Sequence, residues 1–264
     1  NKLENFLKKK TLKKKKNTFH KQTKRKISCI CLVFSLGIIP DLKRIKNISK
    51  KYNLKIIFDA ACSFGNKFNN NKLSKYCDIA TYSFNGNKNF TTGGGGLYST
   101  DIKKYYLKAL SIANNGKVST YQYQSIGYNL RMPSINAAVG LAQLERFNKI
   151  IKKKKTIRDL YKKNLKKYQL FNCRFSWGNY LPWMNFCLVK NEAMLKKIIK
   201  ILNMRNIACD YFWIPMHKQN IKSKFILTKF TNTDYIYKKI LILPSSTNIK
   251  LKNIKIIFKI INNV

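Results

Sequence analysis

Acidic residues are scarce in this chain. Its 264 residues hold 10 Asp+Glu against 54 Lys+Arg, a formal net charge of +44, a balance that points to nucleic acid or another polyanion as one class of partner. The lysines are mixed with Ile and Asn through every segment, however, so a chain-wide drift in composition explains them at least as well, and no specific nucleic acid is expected. Long apolar runs are also missing. The most apolar stretch, Ile27 to Ile39, falls short of the ~20 residues needed to cross a bilayer and contains Gly37. It reads as a buried strand with its exit loop, and no membrane partner is expected. No apolar core follows the basic opening Lys8 to Lys16, so no secretory leader is visible and a cytoplasmic location is the expectation. The chain opens with Asn1 instead of Met, as a piece of a longer protein would. The 7 cysteines show no paired spacing, which excludes a disulfide scaffold; they read as free, mostly buried thiols, and Cys29 and Cys31 are not expected to hold a metal. No internal repeat is present, which excludes a solenoid.

What is present suffices for real cores: 45% hydrophobic and 13% aromatic residues. A chain of this length suits two unequal lobes. The β-branched run Ile27–Phe34 predicts a strand. Pro40-Asp41 then opens a helix with apolar spacing Leu42, Ile45, Ile48, and Leu54–Phe58 predicts a second strand. Strand, three-turn helix and strand make a βαβ unit, hence a parallel sheet covered by helices. Ile79–Phe84 extends it. After Gly93–Gly96 come a short strand, Leu97–Ser99, and a helix over 101–113. Pro133-Ser134 starts a long helix whose apolar positions keep helical spacing to about Tyr168. Short strands and helices follow (185–189, 192–203, 240–243). The expected division is a large domain over 1–150 and a small α+β domain over 151–264.

Open α/β sheets bind ligands beyond the carboxyl ends of their strands. Asp59 ends one predicted strand and Lys88 follows another, so both face one crevice. A pyridine-containing cofactor needs a carboxylate at its ring nitrogen and a lysine amine for covalent attachment. Taken alone the pair is weak, since an acid at a strand end is often a cap and most lysines simply face solvent.

The surrounding words add specificity: Asp59-Ala60-Ala61, Ser83-Phe84-Asn85-Gly86-Asn87-Lys88, Thr91-Thr92 before Gly93–Gly96, Gly127-Tyr128-Asn129-Leu130-Arg131-Met132-Pro133, and Asn136-Ala137-Ala138 through Gln143-Leu144-Glu145. In this order and spacing they resemble the DegT/DnrJ/EryC1/StrS sugar aminotransferases from about Ile27 onward. Trp213 to His217 and Leu243 to Ser246 are most similar to the branch that aminates UDP-linked 4-keto-6-deoxy-N-acetylhexosamines. The resemblance implies an aspartate-aminotransferase-like fold (pyridoxal-phosphate fold type I), here with a partial large domain and its mainly parallel sheet. It implies pyridoxal 5'-phosphate as cofactor, glutamate as amino donor, a nucleotide-linked keto-sugar as acceptor and a homodimer with shared active sites. Lys88 matches the lysine that carries the cofactor, Asp59 the partner of the pyridine nitrogen, and Ser83 a hydroxyl at the cofactor phosphate. Asn129 matches an amide lent to the neighbouring subunit's phosphate, and Arg131 and His217 are assigned to substrate. Three departures stand out: Cys62 where the family usually has Gln or Glu, Leu32 where this branch often has His, and no counterpart of the family's phosphate-cradling turn in residues 1–26. They leave a catalytically dead or partial family member as one alternative, and the net charge of +44 leaves another, a basic protein that binds polyanions non-specifically.

Overall fold

The computed structural model describes residues 2–165, 168–170, 178–220 and 229–264. The chain forms two compact units that divide within one helix, between Phe147 and Asn148, and the described residues 178–181 belong to the first.

The first unit opens with α1 (Lys2–Lys10) and three short antiparallel strands, β1 (Thr11–Lys14), β2 (Asn17–His20) and β3 (Lys26–Ile27). Despite its lysines this segment is folded. Leu3 and Leu7, one helical turn apart, pack with Ile30, Ile48 and Leu54, and the Thr18 hydroxyl donates to the Tyr52 carbonyl at 2.6 Å. The predicted βαβ unit follows as β4 (Cys29–Val33), α2 (Leu42–Tyr52) and β5 (Lys55–Asp59). Asp41 caps α2 by accepting from the Arg44 amide at 3.1 Å. Asn53 ends it in the left-handed conformation at φ 50°, and Leu42, Ile45 and Ile48 are its buried stripe. A two-stranded ribbon, β6 (Lys67–Phe68) and β7 (Asn71–Lys72), leads to β8 (Ile79–Ser83) and β9 (Gly96–Ser99). The central sheet has the order β4-β5-β8-β9, parallel across its first three strands, with β9 antiparallel. Phe34, Phe58, Phe68, Leu73 and Ala80 fill the core on one face.

The other face differs from the expected buried strand. Cys29, Cys31 and Val33 of β4 are exposed on one side, while Ile30 between them is buried. A two-residue period puts all three on the same face, so these two thiols are not the buried ones the composition suggests.

Beyond β9 come α3 (Lys103–Ala113), a hairpin of β10 (Lys117–Ser119) and β11 (Gln122–Tyr123), and the long α4 (Ser134–Asn164), which stops short of Tyr168. The second unit takes α4 from Asn148 on, together with β12 (Gln169–Leu170), while β13 (Gly178–Asn179) pairs with β6 in the first. Buried Asn66 ties that return: its amide donates to the Gly37 carbonyl at 3.1 Å and its oxygen accepts from the Leu181 amide at 2.9 Å. The second unit continues with β14 (Asn185–Leu188), α5 (Glu192–Met204), α6 (Thr231–Tyr237), β15 (Ile240–Leu243) and α7 (Leu251–Asn262). Its sheet order is β12-β14-β15. Ile157 and Tyr161 of α4 and Leu165 just beyond it share its core with Ile198 and Leu202 of α5 and Ile254, Ile257 and Ile261 of α7.

Within this unit Lys154 of α4 is 7% exposed and its Nζ donates to the Trp183 carbonyl at 2.8 Å. Burial pulls its pKa down to about 8, against 10.5 when unfolded. Below pH 8 both states hold the proton and the folded state carries the full cost of a buried charge. Between pH 8 and 10.5 only the unfolded state keeps it, so stability rises with pH, by up to about 3 kcal/mol. Lys154→Met should therefore show a flatter rise than the unaltered protein in denaturant titrations over that window, since the other lysines are common to both. Parallel slopes would mean that Lys154 is not held as a buried cation.

Candidate active site

Val33, Asp59 and Ser83 end the three parallel strands β4, β5 and β8 on the same edge of the sheet. Parallel strands present their carboxyl ends together, which gathers side chains distant in sequence. Half-buried Asp59 is steadied by the turn that follows, its Oδ1 accepting from the Ala61 amide at 3.1 Å. The Ser83 hydroxyl accepts from the Asn85 amide at 3.3 Å, at the start of the next loop.

That loop carries Lys88, and its ends are tied together. The Phe84 carbonyl accepts from the Thr92 amide at 3.0 Å and the Thr91 hydroxyl at 2.9 Å, while the Phe84 amide donates to the Gly95 carbonyl at 3.0 Å. Within the loop the Lys88 amide donates to the Asn85 carbonyl at 3.0 Å. Phe84 and Phe90, both buried, anchor the loop from either side of Lys88 by packing on Phe64, with ring centroids 5.2 and 4.8 Å away. At Gly96 any side chain would meet the Tyr82 carbonyl, 2.5 Å from where a Cβ would stand, so this strand start must be glycine.

The Lys88 amine turns back toward the end of β5 and donates to the Cys62 thiol at 3.5 Å. Burial is the main cause of a raised Cys62 pKa; Lys88 works against it and Asp59 with it. Amine and carboxylate thus both act on this thiol, which stays neutral at ordinary pH.

The remaining expected site residues are Asn129, Arg131 and His217. Asn129 and Arg131 are exposed in the first unit. Their segment is strapped to the end of α3, with a bridge between Asn114 and Asn129 and the Leu130 amide donating to the Ala113 carbonyl at 3.0 Å. His217 lies in the second unit, in a short turn after Pro215. Its Nε2 is 2.7 Å from Asp234 Oδ1 and its ring stacks on Phe230 at 4.6 Å. The hydrogen bond to His217 is the main cause of a lowered Asp234 pKa, with Lys218 adding to it. Among the described residues, no group of three His, Cys, Asp or Glu could hold a metal ion, and no helix is long and apolar enough to cross a membrane.

Residues 7–262 match the DegT/DnrJ/EryC1/StrS aminotransferase family. The chain belongs to this family. Membership reaches back into the basic segment, well before Ile27, which corrects the later start expected from the motifs. Among DegT/DnrJ/EryC1/StrS relatives, GDP-perosamine synthase of Escherichia coli O157:H7 is 37% identical over 201 residues, covering 75% of this chain and 55% of that protein. The UDP-4-amino-4,6-dideoxy-N-acetyl-beta-L-altrosamine transaminase of Campylobacter jejuni (serotype O:2) is 25% identical over 242 residues, covering 88% of this chain and 64% of that protein. The chain therefore spans only part of their length. In fold it is similar to Spr1654 of Streptococcus pneumoniae in its PLP form, with a TM-score of 0.78 and 20% identity over 89% of this chain and 68% of that one. The mixed α/β architecture with a partly parallel sheet is the fold type I architecture of these DegT/DnrJ/EryC1/StrS enzymes.

The contact between Cys62 and Lys88 is absent from the sequence-based site, where Cys62 figures only as a departure from the family. Its one signal is position: Cys62 follows Asp59 by three residues, on the same strand-end turn.

Proposed function

We propose that this protein is a pyridoxal-phosphate-dependent aminotransferase that moves an amino group from glutamate to a nucleotide-linked 4-keto-6-deoxy sugar. The observation that carries the reading is the Lys88 amine meeting Cys62 at 3.5 Å, three residues after Asp59 at the carboxyl end of a parallel strand. An amine for covalent attachment, a carboxylate for a ring nitrogen and the Ser83 hydroxyl for a phosphate are the donor set this cofactor needs. When bound, the cofactor supplies an electron sink for the charge left on a carbon that loses its proton. The chain's own groups do the rest. The Asp59 carboxylate keeps a proton on the pyridine nitrogen, the Ser83 hydroxyl donates to the phosphate, and Lys88 Nζ moves the proton that leaves the donor's α-carbon.

Arg131 and His217 are assigned to the nucleotide sugar. The two relatives carry GDP and UDP in their names, so the nucleotide is open, and the more similar of them bears GDP instead of the UDP suggested by the motifs at Trp213 and Leu243. The transaminase whose name spells out its sugar is a 4-amino-4,6-dideoxy one, which supports a 4-keto-6-deoxy acceptor. The test is incubation of the protein with pyridoxal phosphate, glutamate and GDP- or UDP-linked 4-keto-6-deoxy sugars. Mass spectrometry should find the amino sugar with one nucleotide preferred, and no amino sugar from either would contradict the reading.

A homodimer follows from the same reading. Tyr121, Ile126, Leu130 and Ile135 are 85, 88, 67 and 82% exposed, all within the segment around Asn129. Clustered apolar side chains of this size mark a surface that is covered in use, and a second copy would bring Asn129 to its neighbour's phosphate. Light scattering should give twice the chain mass, and Ile126→Asp should halve it. A monomer before the substitution would remove the shared-site assignment of Asn129.

A further inference from the structure

The loop that carries Lys88 is closed on itself by Phe84 and residues 91–95, so the place of the amine depends on what fixes residue 92 in space. Thr92 is buried, and its carbonyl accepts from the Asn136 side-chain amide at 2.7 Å, across 44 residues of sequence. Asn136 lies in the first turn of α4. One helical turn later, on the same face, comes Gly140, also buried. A Cβ at residue 140 would stand 2.9 Å from the Thr92 methyl and 3.6 Å from the Phe90 ring. Glycine inside a helix costs stability relative to alanine; here it lets α4 lie directly against the loop. Gly93 follows Thr92 with φ of 80°, the left-handed backbone that favours glycine.

We infer that Asn136 and Gly140 are positioning residues for Lys88: the amide holds Thr92 by its carbonyl, the glycine sets how near the helix comes, and together they fix the loop that aims the Lys88 amine at Cys62 and the end of β5. The inference gives α4 a part in the site that its distance along the chain conceals. It rests on the reading of Lys88 as the cofactor lysine for its meaning, and its geometry can be tested without the cofactor.

Two measurements on Asn136→Ala, Asn136→Asp and Gly140→Ala separate the levels. The first is reductive methylation with formaldehyde and a borohydride, followed by peptide mass spectrometry, comparing Lys88 with Lys72 in the same sample. Displacing the loop should change the relative labelling of Lys88 about fivefold, the scale of one lost hydrogen bond. Asn136→Asp keeps the shape and loses the donor, so it should behave like the alanine variant, whereas a merely space-filling role would leave it like the unaltered protein. The second is the rate at which pyridoxal phosphate attaches to Lys88, followed by absorbance well below the melting temperature, where all forms are folded. All three variants should be slowed by a similar factor. Unchanged Lys88 labelling in Asn136→Ala and Asn136→Asp would overturn the inference. Altered labelling, with no attachment even in the unaltered protein, would uphold it and count against the cofactor reading alone.

Discussion

Lys88→Ala should leave the protein folded and reduce specific attachment of pyridoxal phosphate to background. The side chain is half-buried and its amine meets the Cys62 thiol at 3.5 Å, a weak hydrogen bond whose loss costs little stability. On the proposed reading, its amine is the group that attaches the cofactor and has no substitute in the strand-end site. The many exposed lysines will still react slowly with any aldehyde, so the expected loss is the component that saturates at one equivalent per chain. A cofactor titration followed by absorbance reads this directly, and a melting curve on the same sample reads the fold. Saturable binding that survives in Lys88→Ala would move the site elsewhere.

Asp59→Asn should lower turnover about a thousandfold while cofactor still attaches to Lys88. A hydrogen bond from a protonated pyridine nitrogen to a carboxylate is roughly twice as strong as a neutral one. An amide cannot hold that proton in place, so the ring loses much of its capacity to accept electrons when the α-proton leaves. Losing ~4 kcal/mol of transition-state stabilisation corresponds to about a thousandfold in rate. The fold has little at stake, because Asp59 Oδ1 accepts only from the Ala61 amide among its contacts described above, and an Asn oxygen accepts equally well. If Asp59 served merely as a cap, Asn would replace it almost without loss. Turnover and melting temperature measured together decide between these roles; activity within a few-fold of the unaltered protein would remove Asp59 from the chemistry.

Much of the first unit was legible in the sequence because its signals are local. The stripe Leu42, Ile45, Ile48, the Asp41 cap and the short apolar runs on either side announce β4, α2 and β5, and a βαβ unit then dictates which strand ends coincide. Asp59 and Lys88 could be paired on that basis, whereas Ser83 entered only through the family resemblance. Residues 2–27 were not legible. Lysine density hides the apolar pair Leu3 and Leu7, and the strands that follow are held by partners such as Tyr52. The exposed face of β4 was missed because an apolar run shows that a strand forms but not that both its faces are covered. Contacts from Lys88 to Cys62 and from Asn136 to Thr92 span 26 and 44 residues; no periodicity encodes them.

The most direct test of a covalent cofactor site at Lys88 is a peptide map. The protein is mixed with one equivalent of pyridoxal phosphate, reduced with borohydride to make the attachment permanent, digested and analysed by mass spectrometry. A cofactor-derived mass concentrated on the peptide containing Lys88, and displaced from it by excess glutamate added before reduction, is the predicted result. Label spread over the exposed lysines with no preference for Lys88 would contradict the assignment of this strand-end site to pyridoxal phosphate.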